Sequence, residues 1–304
     1  MTPSTEAEWI ARVNRAMDRV LASRGERLDL NQVARAVHAS PYHFHRIFRA
    51  LVGETLHAFQ KRVRLERALQ KMSQSPGKML TDIAIECGFS DSASFSRAFR
   101  DQYGVAPSAF DLDAWRAKRR DELTGGGAHK MLERLPVGEN PDGFRVRLRS
   151  LPERLFAYMR VTDPYQPGRV AGAAEELVGW AERNELADGN WYGWMWENPD
   201  LVPLAQCRYD VAVEVPEGTA VQGSVALQHM PAMMVAELAL AGDIGLEQRA
   251  LDWLYGTWLP RCGREPGDLP CFEAWNGRPF AHGFEHFELA IHVPLGGTLR
   301  TSPR

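Results

Sequence analysis

The sequence predicts two domains: an all-α N-terminal domain with two helix-turn-helix units, then an α+β C-terminal domain of duplicated ββαββ-type units with an antiparallel sheet. Three observations predict it. Apolar residues recur at helical spacing as far as Phe110 and alternate with polar ones from Phe144 onward. A stretch rich in glycine and proline separates the two patterns. Each pattern also repeats once within its own part of the chain, as duplicated supersecondary units do.

In order, the reading gives residues 1–117 to the helical domain, 118–143 to a linker, 144–295 to the second domain and 296–304 to a tail. The first helix follows from Ile10, Val13, Met17, Val20 and Leu21, which share one face, and Gly25 stops it. The stretch Ile83 to Phe110 then reads as helix, tight turn, helix. Gly88 falls where a left-handed C-terminal residue is expected, Ser90 or Asp91 can cap the next helix, and Phe95 and Phe99 lie four apart on its buried side. Residues 28–59 are a second copy. A shift of 50 maps Val33-Ala34 onto Ile83-Ala84, and a shift of 51 maps Phe44, Arg46, Phe48, Gly53, Ala58 and Phe59 onto Phe95, Arg97, Phe99, Gly104, Ala109 and Phe110. Leu56 to Ser73 forms the helix that joins them. Two such units present two helices to successive major-groove segments, about 34 Å apart, so double-stranded DNA is the expected partner.

After the glycines at Gly125 to Gly127, FRVRLRSL alternates as an edge or half-buried strand, with Phe144, Val146 and Leu148 on one side. The order strand, strand, helix (Ala171 to Asn184), strand, strand then recurs, with its second helix at Leu246 to Leu259. A shift of 78 places Asn198 on Asn276, Asp210 on Glu288 and Pro216 on Pro294, while 79 brings Pro152 onto Pro231. Paired about a pseudo-twofold axis, the two units leave a cleft suited to a small molecule. Seven of the nine tryptophans follow residue 179, and Trp191, Trp194, Trp196 and Trp275 fall in equivalent strands. Glu273 among aromatic faces suits a planar or cationic organic molecule; the same residues also suit an aromatic core with Glu273 at an edge.

Composition bounds the function. Of 304 residues, 44% are hydrophobic and 25% charged, which is ordinary for a globular chain. No apolar run approaches the roughly 20 residues of a membrane span, and Glu6 and Glu8 stand where a signal peptide would be basic and apolar, so a cytoplasmic protein without a membrane partner is expected. Cys87, Cys207, Cys262 and Cys271 are scattered without a CxxC pair and read as buried free thiols. His43 and His45 do not share a helix face, and Gly283 sits between His282 and His286, so neither a metal nor any other cofactor is expected. Residues 1–125 hold 20 Lys+Arg against 15 Asp+Glu, and the remainder 16 against 24, so the basic half is the one compatible with polyphosphate.

On the segments SPYHFHRIFRALVG and IAIECGFSDSASFSRAFRDQYGVAPSAF, residues 8–110 resemble the DNA-binding domain of AraC/XylS transcription regulators. The resemblance implies promoter DNA as target and RNA polymerase as a further partner. By position it implies DNA contacts from Tyr42, His45 and Arg46 in the first recognition helix and from Ser92, Ser96 and Arg97 in the second. Arg46 and Arg97 fit bidentate contacts to guanine, and equally fit phosphate contacts or a salt bridge within the domain. The second helix, with Ser92, Ala93, Ser94 and Ser96 in succession, is expected to read less sequence than the first.

On PCFEAW, the preceding GDIGLEQRALDWLYGTWLPRCG and the closing FELAIHVPL, residues 144–295 resemble the GyrI-like small-molecule-binding domain. Glu273 takes the family's pocket glutamate position, and Trp275 replaces the tyrosine often found two residues later. The expected ligand set is Glu273, Trp275, Trp194, Trp196, Tyr192, Tyr158 and Tyr165. The resulting expectation is a regulator, by family habit an activator, that senses a small organic, cationic or aromatic effector. The alternative is a GyrI-like hydrolase of small organic esters with Glu273 as general base.

Overall fold

The computed structural model describes residues 3–23, 25–75, 77–124, 135–283 and 285–298. The chain divides into two compact units. One comprises Met1–Arg116 with Gln222–Ala226, the other Ala117–Val221 with Leu227–Arg304.

The first unit is helical: α1 (Pro3–Ala22), α2 (Leu30–Ala36), α3 (Pro41–Val52), α4 (Leu56–Gln74), α5 (Leu80–Glu86), α6 (Ser92–Tyr103) and the start of α7 (Leu112–Thr124). The repeat read from the sequence is a repeat of interactions. Ser40 and Asp91 cap α3 and α6 by accepting from the amides of His43 and Ser94. Phe44 and Phe48 in one copy, and Phe95 and Phe99 in the other, are completely buried. Phe48 meets Phe59 edge-on at 5.7 Å, and Phe99 meets Phe110 likewise at 5.2 Å. The change of shift from 50 to 51 lies in the turn. His38 (φ 54) and Gly88 (φ 80) hold the same left-handed position, and the second turn then takes one more residue before its helix.

Helix α4 fastens the two copies. Buried Gln60 accepts from the Leu28 amide at 2.8 Å and donates to the Leu28 carbonyl at 3.0 Å. Arg67 donates to the Leu21 carbonyl at 2.9 Å, and Arg64 to the Gly88 carbonyl at 3.1 Å. Gly25 and Gly88 are packed backbone to backbone, so a Cβ on Gly88 would stand 2.0 Å from the Gly25 oxygen.

The second unit is a nine-stranded sheet with two helices. Its elements are β1 (Arg147–Leu151), β2 (Arg154–Thr162), α8 (Arg169–Arg183), β3 (Trp191–Met195), β4 (Arg208–Val215), β5 (Ala226–Met230), β6 (Met233–Gly242), α9 (Ile244–Trp253), β7 (Arg264–Pro266), β8 (Phe272–Trp275) and β9 (Phe287–Thr298). The strand order is β1-β6-β9-β8-β3-β4-β2-β5, with β7 beside β9. Exchanging the two ββαββ repeats, residues 144–216 and 224–295, reverses this order onto itself, so the pseudo-twofold axis passes between β3 and β8. The first strand of each repeat crosses over: β1 pairs with β6, and β5 lies beside β2. Only two residues join β1 to β2 and β5 to β6, and the first of each pair is Pro152 or Pro231. A two-residue hairpin turn needs a positive φ there, which proline forbids, so the strand turns a corner into the other repeat.

Helix α8 packs on β2 and β4, and α9 on β6. The second helix differs from the expected span: it ends at Trp253 and continues as a π turn (Leu254–Trp258) and a 3-10 turn (Leu259–Arg261). Leu148, expected on the buried side of its strand, is 51% exposed because β1 is the end strand of the sheet. Cys262 is half-buried where the other three cysteines are buried. Of the stretch expected as a linker, residues 118–124 continue α7, and residues 125–134 lie outside the described residues. Residues 135–143 are fastened to the second unit: Leu135 packs on its core, Asp142 takes two hydrogen bonds from Arg249 at 3.0 and 2.9 Å, and the Gly138 amide donates to Thr257. The expected tail begins inside β9, and residues 299–304 lie outside the described residues.

Gly88→Ala and Gly104→Ala separate backbone conformation from close packing. Both glycines are left-handed (φ 80 and 82), which costs a non-glycine residue about 1–2 kcal/mol, but a Cβ on Gly104 meets nothing within 4 Å. Denaturant unfolding is expected to show Gly88→Ala losing at least twice what Gly104→Ala loses. Equal losses would mean that the Gly25–Gly88 contact yields without cost.

Candidate functional site

Two sets of residues carry chemistry, one in each unit. In the first unit the phenylalanines face inward, so the outward face of α3 carries Tyr42, which is 66% exposed, exposed Arg46 and half-buried His45. Arg46 Nη1 donates to the Tyr42 hydroxyl at 3.0 Å, and the guanidinium lies 5.8 Å from the Tyr42 ring centre. This i,i+4 pair holds an otherwise mobile arginine against its own helix. On α6, Arg97 is exposed while Ser92 and Ser96 are half-buried. Among the described residues Arg46 has its hydrogen bond with Tyr42, and Arg97 acts electrostatically on the helix-capping Asp91.

In the second unit, strand parity sorts the expected ligand set onto two faces. The register pairs Gly193 with Glu273 and Trp191 with Trp275, which puts these four side-chain positions on the face that α9 covers. Tyr192 and Trp194 alternate to the opposite face. There Trp194 stacks on Phe272 at 5.3 Å, Tyr192 accepts from Arg154, and Tyr158 lies beneath the Arg160 guanidinium at 5.2 Å. Trp196 follows the same parity: its Nε1 donates to Asp210 at 2.6 Å, and Arg160 binds that carboxylate through two nitrogens at 2.8 and 2.6 Å. Of the seven expected ligand residues, Tyr158, Tyr192, Trp194 and Trp196 are therefore not brought to Glu273. Tyr165, in the β2–α8 turn, is 37% exposed, yet burial of its hydroxyl raises its pKa, and the charges of Cys207 and Glu247 add to this.

What surrounds Glu273 includes two residues that the sequence reading did not name. The Tyr209 hydroxyl donates to Glu273 Oε2 at 2.7 Å, and Trp275 Nε1 donates to the same oxygen at 2.9 Å. From α9, the buried Glu247 carboxyl is a close enough neighbour that the charge of Glu273 raises its pKa. Both carboxyls are buried, Glu247 to 4% exposure and Glu273 to 6%. Gly193 makes the arrangement possible, because a Cβ there would stand 1.8 Å from the Tyr209 oxygen and 2.9 Å from Glu273 Oε2. Burial raises the pKa of both carboxyls. For Glu247 the neighbouring Glu273 adds to the rise; for Glu273 the hydrogen bonds from Tyr209 and Trp275 oppose it. Two signals for these residues were present in the sequence. Glu247 is an acid on the side of α9 shared with Ala250 and Leu254, and Tyr209 is placed by parity within RYDVAVEV.

A cleft of about 390 Å³ opens between α8 and the β8–β9 loop, lined by Ala174, Val178, Arg278 and Phe280 among others. Phe280 also meets Trp275, edge to face at 5.1 Å.

Known proteins match each part of the chain separately. A helix-turn-helix domain model matches residues 33–112, and the model of the GyrI-like small molecule binding domain matches residues 144–295. The chain is 31% identical over 87 residues to the probable transcription factor PqrA of Proteus vulgaris, covering 28% of this chain and 70% of PqrA. The chain belongs to the AraC/XylS family and carries a GyrI-like domain. It is similar to AdaA of Bacillus subtilis, named a bifunctional transcriptional activator and DNA repair enzyme: 31% identity over 105 residues, 34% of this chain and 48% of AdaA. The chain thus spans about half the length of that relative. A solved AraC-type DNA-binding domain protein from Chromobacterium violaceum matches at 27% identity and TM-score 0.30, over 32% of this chain and 86% of that one.

As an AraC/XylS member with a GyrI-like domain, the chain couples a helix-turn-helix region to a small-molecule-binding fold. The hydrolase alternative finds no support in these matches. Nor does the geometry assemble a nucleophile: Cys271, on the same strand face as Glu273, has its thiol pKa raised by burial and then by Glu273 and Glu247. Among the described residues no helix is long and apolar enough to cross a membrane.

The raised carboxyls fix the sign of a pH effect. Below the ordinary carboxyl range both states carry the protons, and the fold keeps its full stability from this pair. As pH rises through the raised pKa values the folded state must ionise in a buried site, and that contribution is lost, at about 1.4 kcal/mol per unit of separation. Thermal unfolding of the wild type is expected to fall in midpoint as pH increases from mildly acidic, and Glu273→Gln to flatten that fall. A variant as steep as the wild type would place the titrating group elsewhere.

Proposed function

We propose that this protein is a cytoplasmic transcription activator that binds promoter DNA through residues 1–117 and senses a small organic effector through residues 144–295. The observation that carries this reading is the pairing in one chain of an exposed Tyr42–Arg46 face with a buried carboxyl set among aromatic rings. Tyr42, His45 and Arg46 would supply most of the base readout. Ser92, Ser96 and Arg97 would act mainly on the backbone, because short hydroxyl side chains reach little of a base edge. Glu273, Trp275 and Tyr165 line the proposed effector site. Tyr158, Tyr192, Trp194 and Trp196 then support it from the opposite face of the sheet. Occupancy must favour one conformational state over another to alter transcription, and RNA polymerase is the proposed recipient of that change.

Footprinting and binding titrations on a selected promoter fragment test the DNA half. Arg46→Ala is expected to lose about 1–3 kcal/mol and to relax preference at one base pair; Arg97→Ala should weaken binding more evenly across sequences. Tyr42→Phe keeps the ring but frees the guanidinium, and should cost less than Arg46→Ala. Affinity that does not fall as salt rises would contradict phosphate contact, since bound DNA must release counterions. For the effector half, tryptophan fluorescence titrated with organic cations and neutral aromatics should show quenching that Glu273→Gln weakens. No response across a broad panel would remove the sensing role.

A further inference from the structure

The end strand β1 of the second unit carries side chains that the fold does not require. It is bonded on one side, to β6, and among the described residues no strand takes its outer edge. Arg147, Leu148, Arg149 and Ser150 are exposed along it, and Leu151 is buried. With Arg145 just ahead, alternation puts three arginines on one face within five residues, and Val146 and Leu148 on the other. Arg149 is held by Glu237 at 2.6 Å, and Glu237 also meets His292 at 3.1 Å. Arg145 and Arg147 have no acidic partner among the described residues. Val146 packs on the core, whereas Leu148 is 51% exposed. The other end of the sheet differs. The shift of 79 that brings Pro152 onto Pro231 places Ser224, Ala226 and Gln228, on and before β5, at the positions of Arg145, Arg147 and Arg149.

A bare strand edge offers unpaired N–H and C=O groups to another extended chain, and charges along it are a common guard against unwanted pairing. Guarding accounts for the arginines but not for an exposed leucine between two of them. The pattern also selects among partners. Two copies of this chain joined edge to edge about a twofold axis would set arginine opposite arginine, and like charges facing each other across about 5 Å are destabilising. An acidic strand meets the reverse situation. Residues 126–304 hold 16 Lys+Arg against 24 Asp+Glu, so β1 is a local positive stripe in an acidic stretch of chain. We propose that the outer edge of β1 is a docking strand for an extended segment of another protein in which carboxylates alternate with apolar residues. Main-chain hydrogen bonds to the free edge supply affinity, the carboxylates pair with Arg145, Arg147 and Arg149, and the apolar side chains cover Leu148. The docking edge is independent of the sensing and DNA-contact roles proposed above.

The test uses the full chain and a fluorescently labelled peptide of about six residues, an ordinary strand length, alternating glutamate and valine. Two relatives accompany it, one with lysine in place of glutamate and one N-methylated throughout so that its backbone cannot donate. Fluorescence anisotropy should show the glutamate peptide binding saturably, and more weakly as salt rises, with each relative weakened more than tenfold. Hydrogen exchange along β1 should slow in the complex. Arg147→Glu and Leu148→Asp, both at exposed positions, should each weaken the glutamate peptide more than tenfold, while Gln228→Glu on the other end strand leaves it unchanged. Absence of saturable binding, or equal binding of the N-methylated peptide, would overturn strand addition. Sedimentation showing dimers that Leu148→Asp breaks would assign the edge to a second copy. A mixed-sequence DNA duplex weakened by Arg147→Glu as much as the peptide is would assign the arginines to phosphate. Either result overturns the proposal.

Discussion

The pairing of β3 with β8 is the constraint on which the second unit depends. It is the join at the pseudo-twofold axis, and its register, Gly193 opposite Glu273, decides which side chains share a face. Shifting β8 by one residue would carry Glu273 to the face of Trp194 and the Arg160–Asp210 pair, where a buried acid already has its cation. In the observed register its hydrogen-bond partners among the described residues are the Tyr209 hydroxyl and the Trp275 indole. This placement results from strand geometry rather than from any unusual residue.

The exchange of first strands supports that join. Because Pro152 and Pro231 cannot open a tight hairpin, β1 and β5 each extend the sheet of the other repeat, and the two repeats become one continuous sheet. The helices then lie over the two halves, α8 on β2 and β4 and α9 on β6, and the middle strands are reached from α9 by Glu247. The axis relates the strands, but the residues beside it, such as Gly193 on β3 and Glu273 on β8, are not alike.

The first unit solves a related problem differently. Its two copies keep a side-chain cap on the second helix, Ser40 in one and Asp91 in the other, with the same phenylalanine pairs and the same edge-to-face contact, yet they are locked together by side chains of α4 that bind backbone atoms. Backbone groups at the ends of helices need partners, and Gln60, Arg64 and Arg67 supply them at points that the repeat itself cannot reach. The Gly25–Gly88 contact then brings the loop after α1 against the second turn.

By itself the sequence determined the elements. Helical and alternating periodicity, capping residues and two internal repeats were enough to place the helix-turn-helix units, the ββαββ order and Glu273, because each depends on neighbours within a few residues. It also placed Arg46 four residues after Tyr42. Only the tertiary structure decided which distant groups meet. Tyr209, Glu247 and Gly193 join Glu273 through strand register and helix docking, and four of the expected aromatics turn away from it because one step along a strand reverses a side chain. Local periodicity records which way a residue faces within its own element, whereas a site is made by the pairing of elements, and that pairing is fixed by long-range packing.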